Sequence, residues 1–252
     1  MSLWWLFLVC PVAYLIGNVN LSVILSRRVL KRDIRTLASG NPGATNVLRN
    51  FGFKWGVTVF LFDVLKGVVP VLVVMFLPWE PVWAHPEPID GMVWSVVYPV
   101  RDLVPLYATG LAVVLGHCFP VVYGFKGGKG VATMVGVFLV ISPVMAVIAF
   151  FAGVLYVLVF EYGAVASLIF INIIVPYSLI MQQWRMSTYL WGEYHFYGVD
   201  LAVSLMLVAF YLLVLYTHRG NIKRLLLGRE NKASLIAKFR RKLQKKKSAE
   251  HI

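Results

Sequence analysis

Charge is what this chain has least of. Only 14% of its 252 residues are Asp, Glu, Lys or Arg, against about 25% in an average soluble domain. The deficit runs along the whole length, which excludes a disordered chain and argues against a water-soluble globular domain. Cysteine is scarce as well: Cys10 and Cys118 are the only two, too few for a disulfide framework or a CxxC site. Acids are outnumbered by bases, 11 to 24, and no cluster of carboxylates and histidines has metal-ligand spacing. No metal and no cofactor is therefore expected.

What fills the chain instead is apolar sequence, 60% of all residues, with a mean hydropathy of +0.77. The runs 1–26, 103–125, 130–160, 162–184 and 201–218 contain no charged residue. Each is apolar throughout rather than alternating, so helices are predicted and a barrel is excluded. A sixth segment, Trp55–Leu77, is interrupted by Asp63 and Lys66, three apart and able to pair on one helical face. The first run lacks a basic leader and a small-residue cleavage site, and is expected to be retained as a helix. Ser142-Pro143 divides the long run 130–160, because proline removes a helical donor. A short helix near 130–141 and another near 143–160 follow, bringing the expected total to seven.

Charge sets the orientation. Segments 27–54 and 218–252 carry net charges of +6 and +10, whereas 78–102 and 182–200 carry −3 and −1. Basic segments belong in the cytoplasm. The expected fold is thus an all-α polytopic membrane protein with seven transmembrane helices, the N-terminus outside and the C-terminus cytoplasmic. Residues 1–222 form the transmembrane domain and 223–252 a basic cytoplasmic tail, an interfacial helix that then frays. Orientation and contact with anionic membrane lipids account for the net +13, so no nucleic acid is expected as a partner.

Three polar, glycine-bearing clusters fall at helix ends on the predicted cytoplasmic side. The first, Ser39-Gly40-Asn41-Pro42-Gly43-Ala44-Thr45-Asn46-Val47-Leu48-Arg49, combines small residues that expose backbone N–H groups with neutral donors and a forked cation suited to phosphate. The second, Gly116-His117-Cys118-Phe119-Pro120 and Phe125-Lys126-Gly127-Gly128-Lys129-Gly130-Val131-Ala132-Thr133, sets glycines between lysines ahead of a helix, the composition of an anion site. It is not a Walker A loop: Gly124 and Gly128 are one position too close, and Lys129 precedes Gly130 rather than Ser or Thr. The third, Thr217-His218-Arg219-Gly220-Asn221-Ile222-Lys223-Arg224-Leu225-Leu226 and then Gly228-Arg229-Glu230, places His218 and Asn221 on one face if helical, while Arg219, Lys223 and Arg224 are also what the positive-inside pattern alone supplies.

These three strings, in this order, resemble the signature regions of the acyl-phosphate-dependent glycerol-3-phosphate acyltransferases, the PlsY family. Asp33-Ile34-Arg35 and Leu61-x-Asp63-x-Leu65-Lys66-Gly67 extend the resemblance, which covers roughly residues 12–230. The family implies a bacterial inner-membrane protein, its active site at the cytoplasmic face, that moves a fatty acyl group from acyl phosphate to the sn-1 hydroxyl of glycerol 3-phosphate. Lysophosphatidic acid and phosphate are the implied products, at the first step of phospholipid synthesis. On that resemblance Ser39, Arg49, Lys129, His218 and Asn221 contact glycerol 3-phosphate, with His218, Asn221 and Ser39 as the catalytic set. Lys126, Gly127 and Gly128 are expected to cradle the acyl phosphate, and Thr45 and Asn46 to shape the first loop beside it. The enzyme that makes acyl phosphate is a candidate partner.

Departures from the family pattern are Asn18-Val19-Asn20 after Gly17, Ala38 in place of glycine, and Ala164 in place of one of two serines, Ser167 being kept. His85 and Asp90 match the His-x4-Asp pattern of acyl-CoA-type acyltransferases, a coincidence in a proline-rich outer loop. A transporter of an anionic metabolite is the alternative reading; polar clusters confined to one face and the lack of repeated halves argue against it.

Overall fold

The computed structural model describes residues 3–77, 82–83, 99–100, 103–190 and 201–232. In chain order these form α1 (Leu6–Asn18), α2 (Leu21–Arg28), α3 (Ala44–Phe51), α4 (Phe53–Phe76), β1 (Val82–Trp83), β2 (Pro99–Val100), α5 (Val104–Cys118), α6 (Val131–Ile141), α7 (Pro143–Phe160), α8 (Gly163–Leu190) and α9 (Leu201–Leu226). Apart from the two-residue antiparallel pair β1–β2, the described residues are helices and their connections.

Among the described residues six helical stretches are long and apolar enough to cross a membrane, α1 and α2 together making the first. The seventh predicted helix is α6, with 11 residues too short to count among them. The division of the long run falls where the proline predicts: α6 ends at Ile141 and α7 begins at Pro143, whose missing N–H costs nothing in a first turn. Large apolar side chains such as Phe7, Phe76, Phe151, Leu155 and Leu212 stand exposed around the bundle, the surface a lipid-facing protein presents. Inside, Phe138 meets Tyr107, Phe170 and Phe210 edge-on, with ring centroids 5.6–6.5 Å apart, and joins α5, α6, α8 and α9.

Two features of the fold place the polar residues. The first run is not one continuous helix, as expected, but breaks after Asn18. Asn20 caps α2, its Oδ1 accepting from Val23 N at 3.2 Å. The break frees the Val19 carbonyl, which accepts from Lys66 Nζ at 3.2 Å. The family departure at 18–20 therefore supplies a cap. Second, α6 lies close against α4: a Cβ on Gly67 would sit 2.1 Å from Thr133 O, and one on Gly136 2.0 Å from Val64 O. Only glycine permits that approach, which carries the lysine loop ahead of α6 toward Asp63.

The segment before α3 is held from both sides. Ser26 Oγ accepts from Ile34 N at 3.2 Å, and Asn46 Nδ2 donates to Ile34 O and Leu37 O at 3.2 and 3.0 Å. Ser22 Oγ lies 2.7 Å from Pro42 O. Asp33 accepts from Arg35 and Arg27, whose guanidinium groups hold its carboxyl well below the usual range. The boundary drawn at residue 222 runs through α9, which continues to Leu226. Tail residues 233–252 and the pair His85 and Asp90 lie outside the described residues.

Candidate active site

A cavity of about 180 Å³ opens where α3, α4, α5, α8, α9 and the lysine loop meet. Ser39, Thr45, Asn46, Arg49, Lys129, His218 and Asn221 all line it, drawn from three stretches up to 182 residues apart in sequence. Lys126, Gly127 and Gly128 do not.

The first cluster reaches the cavity through the start of α3. Gly43, Ala44 and Thr45 line it, and a helix start leaves its first amide N–H groups without an intrahelical acceptor. Asn46 is almost fully buried, its amide spent on Ile34 O and Leu37 O; it holds the loop. Arg49 extends from the same helix and donates to Asn231 O at 3.1 Å.

The second cluster behaves differently. Gly127 N donates to Cys118 O and Gly128 N to His117 O, both at 3.1 Å. The amides expected to cradle an anion are thereby spent on the end of α5. A Cβ at Gly128 would lie 2.0 Å from His117 Nε2, so this glycine exists to let the imidazole pack on the backbone. What the turn delivers is Lys129, whose carbonyl accepts from Thr217 Oγ1 at 3.2 Å and whose ammonium donates to Asn221 Oδ1. Burial pulls the Lys129 pKa down to about 8, with Glu230 opposing and Arg224 and Arg49 adding to the shift.

The third cluster lies on one helical face, as the spacing predicts: His218 and Asn221 are both buried and both line the cavity. His218 Nδ1 is 3.0 Å from Val214 O. A carbonyl can only accept, so Nδ1 carries the hydrogen and Nε2 of the neutral ring is an acceptor.

Four ionisable lining residues, Asp63, His117, Arg224 and Glu230, were not assigned to the site by the sequence. Glu230, 5% exposed, accepts from Asn221 Nδ2 at 2.8 Å and from Arg224 Nε at 2.9 Å. Residues 229–232 thus run back over the cavity as a strap, which also caps Arg49. Arg224 is more than a topology signal. Asp63 pairs with Lys66 at 2.8 Å, and His117 Nδ1 stands 3.6 Å from the same Asp63 oxygen. Arg224, three residues past Asn221, shares its helical face, whereas Glu230 lies beyond the end of α9 where no spacing points to it, and nothing local marks Asp63 and His117 as neighbours. Ser167 and Ala164 line the cavity too, so the serine-to-alanine departure removes a hydroxyl from its wall. Among the described residues no group of three His, Cys, Asp or Glu gathers as a metal-ligand set.

A family model described as glycerol-3-phosphate acyltransferase matches residues 7–228. A glycerol-3-phosphate acyltransferase of Halalkalibacterium halodurans is 35% identical over 232 residues, 92% of this chain and 96% of that one. One of Thermoanaerobacter pseudethanolicus is 37% identical over 221 residues, 88% and 92% of the two chains. The crystal structure of PlsY (YgiH), an integral membrane glycerol 3-phosphate acyltransferase, in its glycerol 3-phosphate form superposes with a TM-score of 0.70 at 32% identity, covering 90% of this chain and 94% of that one. Its lysophosphatidic acid form gives 0.67 over the same shares.

Proposed function

Since the chain belongs to the glycerol-3-phosphate acyltransferase family and is a multi-pass membrane protein, we propose that it transfers a fatty acyl group from acyl phosphate to the sn-1 hydroxyl of glycerol 3-phosphate. The products are lysophosphatidic acid and phosphate. The observation that carries this reading is the convergence of Ser39, Arg49, Lys129, His218 and Asn221 on one cavity. We assign that cavity to the cytoplasmic rim of a bacterial inner membrane, crossed seven times with α6 included, because the segments that bear it are the basic ones.

The mixed anhydride of an acyl phosphate has a good leaving group, so no covalent enzyme intermediate is needed. The protein has to hold two anions side by side, orient an alcohol, and donate to the oxygen that gains charge. Arg49, Lys129 and Asn221, with Ser39, bind the phosphate of glycerol 3-phosphate, a role in which their present partners, Glu230 and the strap carbonyls, give way in part. His218 Nε2 accepts from the attacking hydroxyl. The departing phosphate is the final proton sink. The start of α3 faces the acyl phosphate with the amides of Ala44 and Thr45, that of Gly43 being spent on Asn41 O, and takes the place first expected for Lys126, Gly127 and Gly128. Asn46 keeps that helix start in place.

Purified protein supplied with both acyl phosphate and glycerol 3-phosphate is expected to release phosphate and form lysophosphatidic acid, with neither product when one substrate is left out. Equal phosphate release with acyl phosphate alone overturns the reading. Acyl-CoA supporting the same rate in place of acyl phosphate overturns the choice of donor.

A further inference from the structure

We propose that Asp63 and His117 read the middle, non-reacting hydroxyl of glycerol 3-phosphate and so set selectivity among small phosphorylated alcohols; this rests on reading the cavity as a glycerol 3-phosphate site. The two face the same cavity from α4 and the end of α5. Each is less than one-twentieth exposed. Asp63 is matched by Lys66 at 2.8 Å, and Lys66 by Asp63 and by Val19 O at 3.2 Å. His117 Nδ1, in contrast, has no hydrogen-bond partner among the described residues, standing 3.6 Å from Asp63 Oδ1. A buried ring nitrogen left without a partner is uncommon and calls for an account. Ionisable residues within membrane helices, too, are usually kept for function.

The chemistry narrows what completes this corner. The Asp63 and Lys66 charges cancel, so it offers an anion nothing; the cations not cancelled there, Arg49 and Lys129, line the same cavity elsewhere. An acyl chain set against a buried carboxylate would leave that group poorly solvated. A neutral hydroxyl suits both groups, donating to the carboxylate and accepting from the imidazole. The reacting hydroxyl is not the better candidate. His117 is pinned, its ring packed on Gly128 and its carbonyl held by Gly128 N, and Asp63 is pinned by Lys66. A fixed pair suits a contact that persists through turnover, whereas His218 presents an acceptor nitrogen not engaged by its Val214 anchor.

The test compares kcat/KM of the purified enzyme, with acyl phosphate as donor, for glycerol 3-phosphate and for 3-hydroxypropyl phosphate, which lacks only the middle hydroxyl. Wild type is expected to prefer glycerol 3-phosphate by roughly tenfold or more. It should discriminate against dihydroxyacetone phosphate as well, since a carbonyl cannot donate to Asp63. In His117→Gln and Asp63→Asn the preference over 3-hydroxypropyl phosphate should shrink at least threefold, through loss on glycerol 3-phosphate alone. A purely structural role lowers both substrates in proportion and leaves the ratio unchanged. An unchanged ratio in folded variants overturns the proposal. So does a wild-type ratio near one, which needs no variant and leaves the acyltransferase reading intact. Transfer to neither alcohol by wild type sinks both readings together.

Discussion

Two stretches of this chain look alike in composition and do different things. Residues 39–46 and 124–130 each mix glycine with small or cationic residues ahead of a helix. In the first, the Gly40 and Gly43 amides are spent on the Leu37 and Asn41 carbonyls, and it is the next two residues, Ala44 and Thr45 at the start of α3, that bring helix-start amides to the cavity wall. In the second, the Gly127 and Gly128 amides are consumed by the Cys118 and His117 carbonyls, and the glycines serve as the surface on which an imidazole packs. The first turn thus delivers a helix start to the cavity and the second delivers a lysine, with the glycine amides of both spent inside the protein. Spacing alone does not distinguish them, because the difference lies in what α5 brings alongside.

The sharpest way to break this comparison is Gly128→Ala. A methyl group 2.0 Å from His117 Nε2 has to displace the ring or the loop, and overpacking of that kind costs about 1–3 kcal/mol. Because Lys129 is the next residue, acyl transfer should fall on the order of a hundredfold or more, together with the thermal midpoint of the detergent-solubilised protein. A variant with wild-type activity and stability would show the packing to be incidental.

Next in size is Arg49→Ala. Removing a charge-assisted contact of about 1.5–3 kcal/mol should raise KM for glycerol 3-phosphate roughly 10- to 100-fold. Steady-state kinetics at saturating acyl phosphate check this; an unchanged KM removes Arg49 from the phosphate site.

A third expectation concerns pH. With its pKa near 8, Lys129 is charged below that value and neutral above it. The phosphate of glycerol 3-phosphate is dianionic above about 6. Affinity should therefore be greatest between the two and decline as pH rises through 8. Lys129→Arg, which stays charged, should lose the alkaline decline; a decline that survives in that variant belongs to another group.

The smallest effect is predicted for Lys126→Ala. Its side chain is off the cavity although it lies in the same motif as Lys129, and KM for either substrate should move less than about threefold, as for a surface position. A large rise would restore the lysine-glycine turn as an acyl-phosphate cradle and erase the contrast between the two stretches.

Much of this arrangement was legible in residues that act locally. Pro143 ends one helix and begins the next wherever the rest of the chain lies. The three-residue step from His218 to Asn221 fixes their shared face once α9 is helical. What escaped the sequence depends on partners distant in the chain. Asn20 gives no sign, read alone, that it caps a second helix in a run apolar enough to pass for one. Glu230 looks like one of two stray acids in a basic tail until Asn221 and Arg224 are seen to hold it. His117 reads as a structural histidine, and only the packing of α4 on α5 sets Asp63 beside it.

The brevity of α6 sets a depth. Eleven residues rise about 16 Å, roughly half the hydrocarbon thickness of a bilayer. On the proposed orientation, with the lysine turn at the cytoplasmic rim, the Ser142-Pro143 corner at the other end of α6 stops short of the far interface and turns within the hydrocarbon layer. Ser142 has its backbone satisfied there from both sides, its N–H given to Phe138 O at 2.8 Å and its carbonyl accepting from Ala146 N at 2.9 Å, so the chain can reverse away from water without an orphaned peptide group.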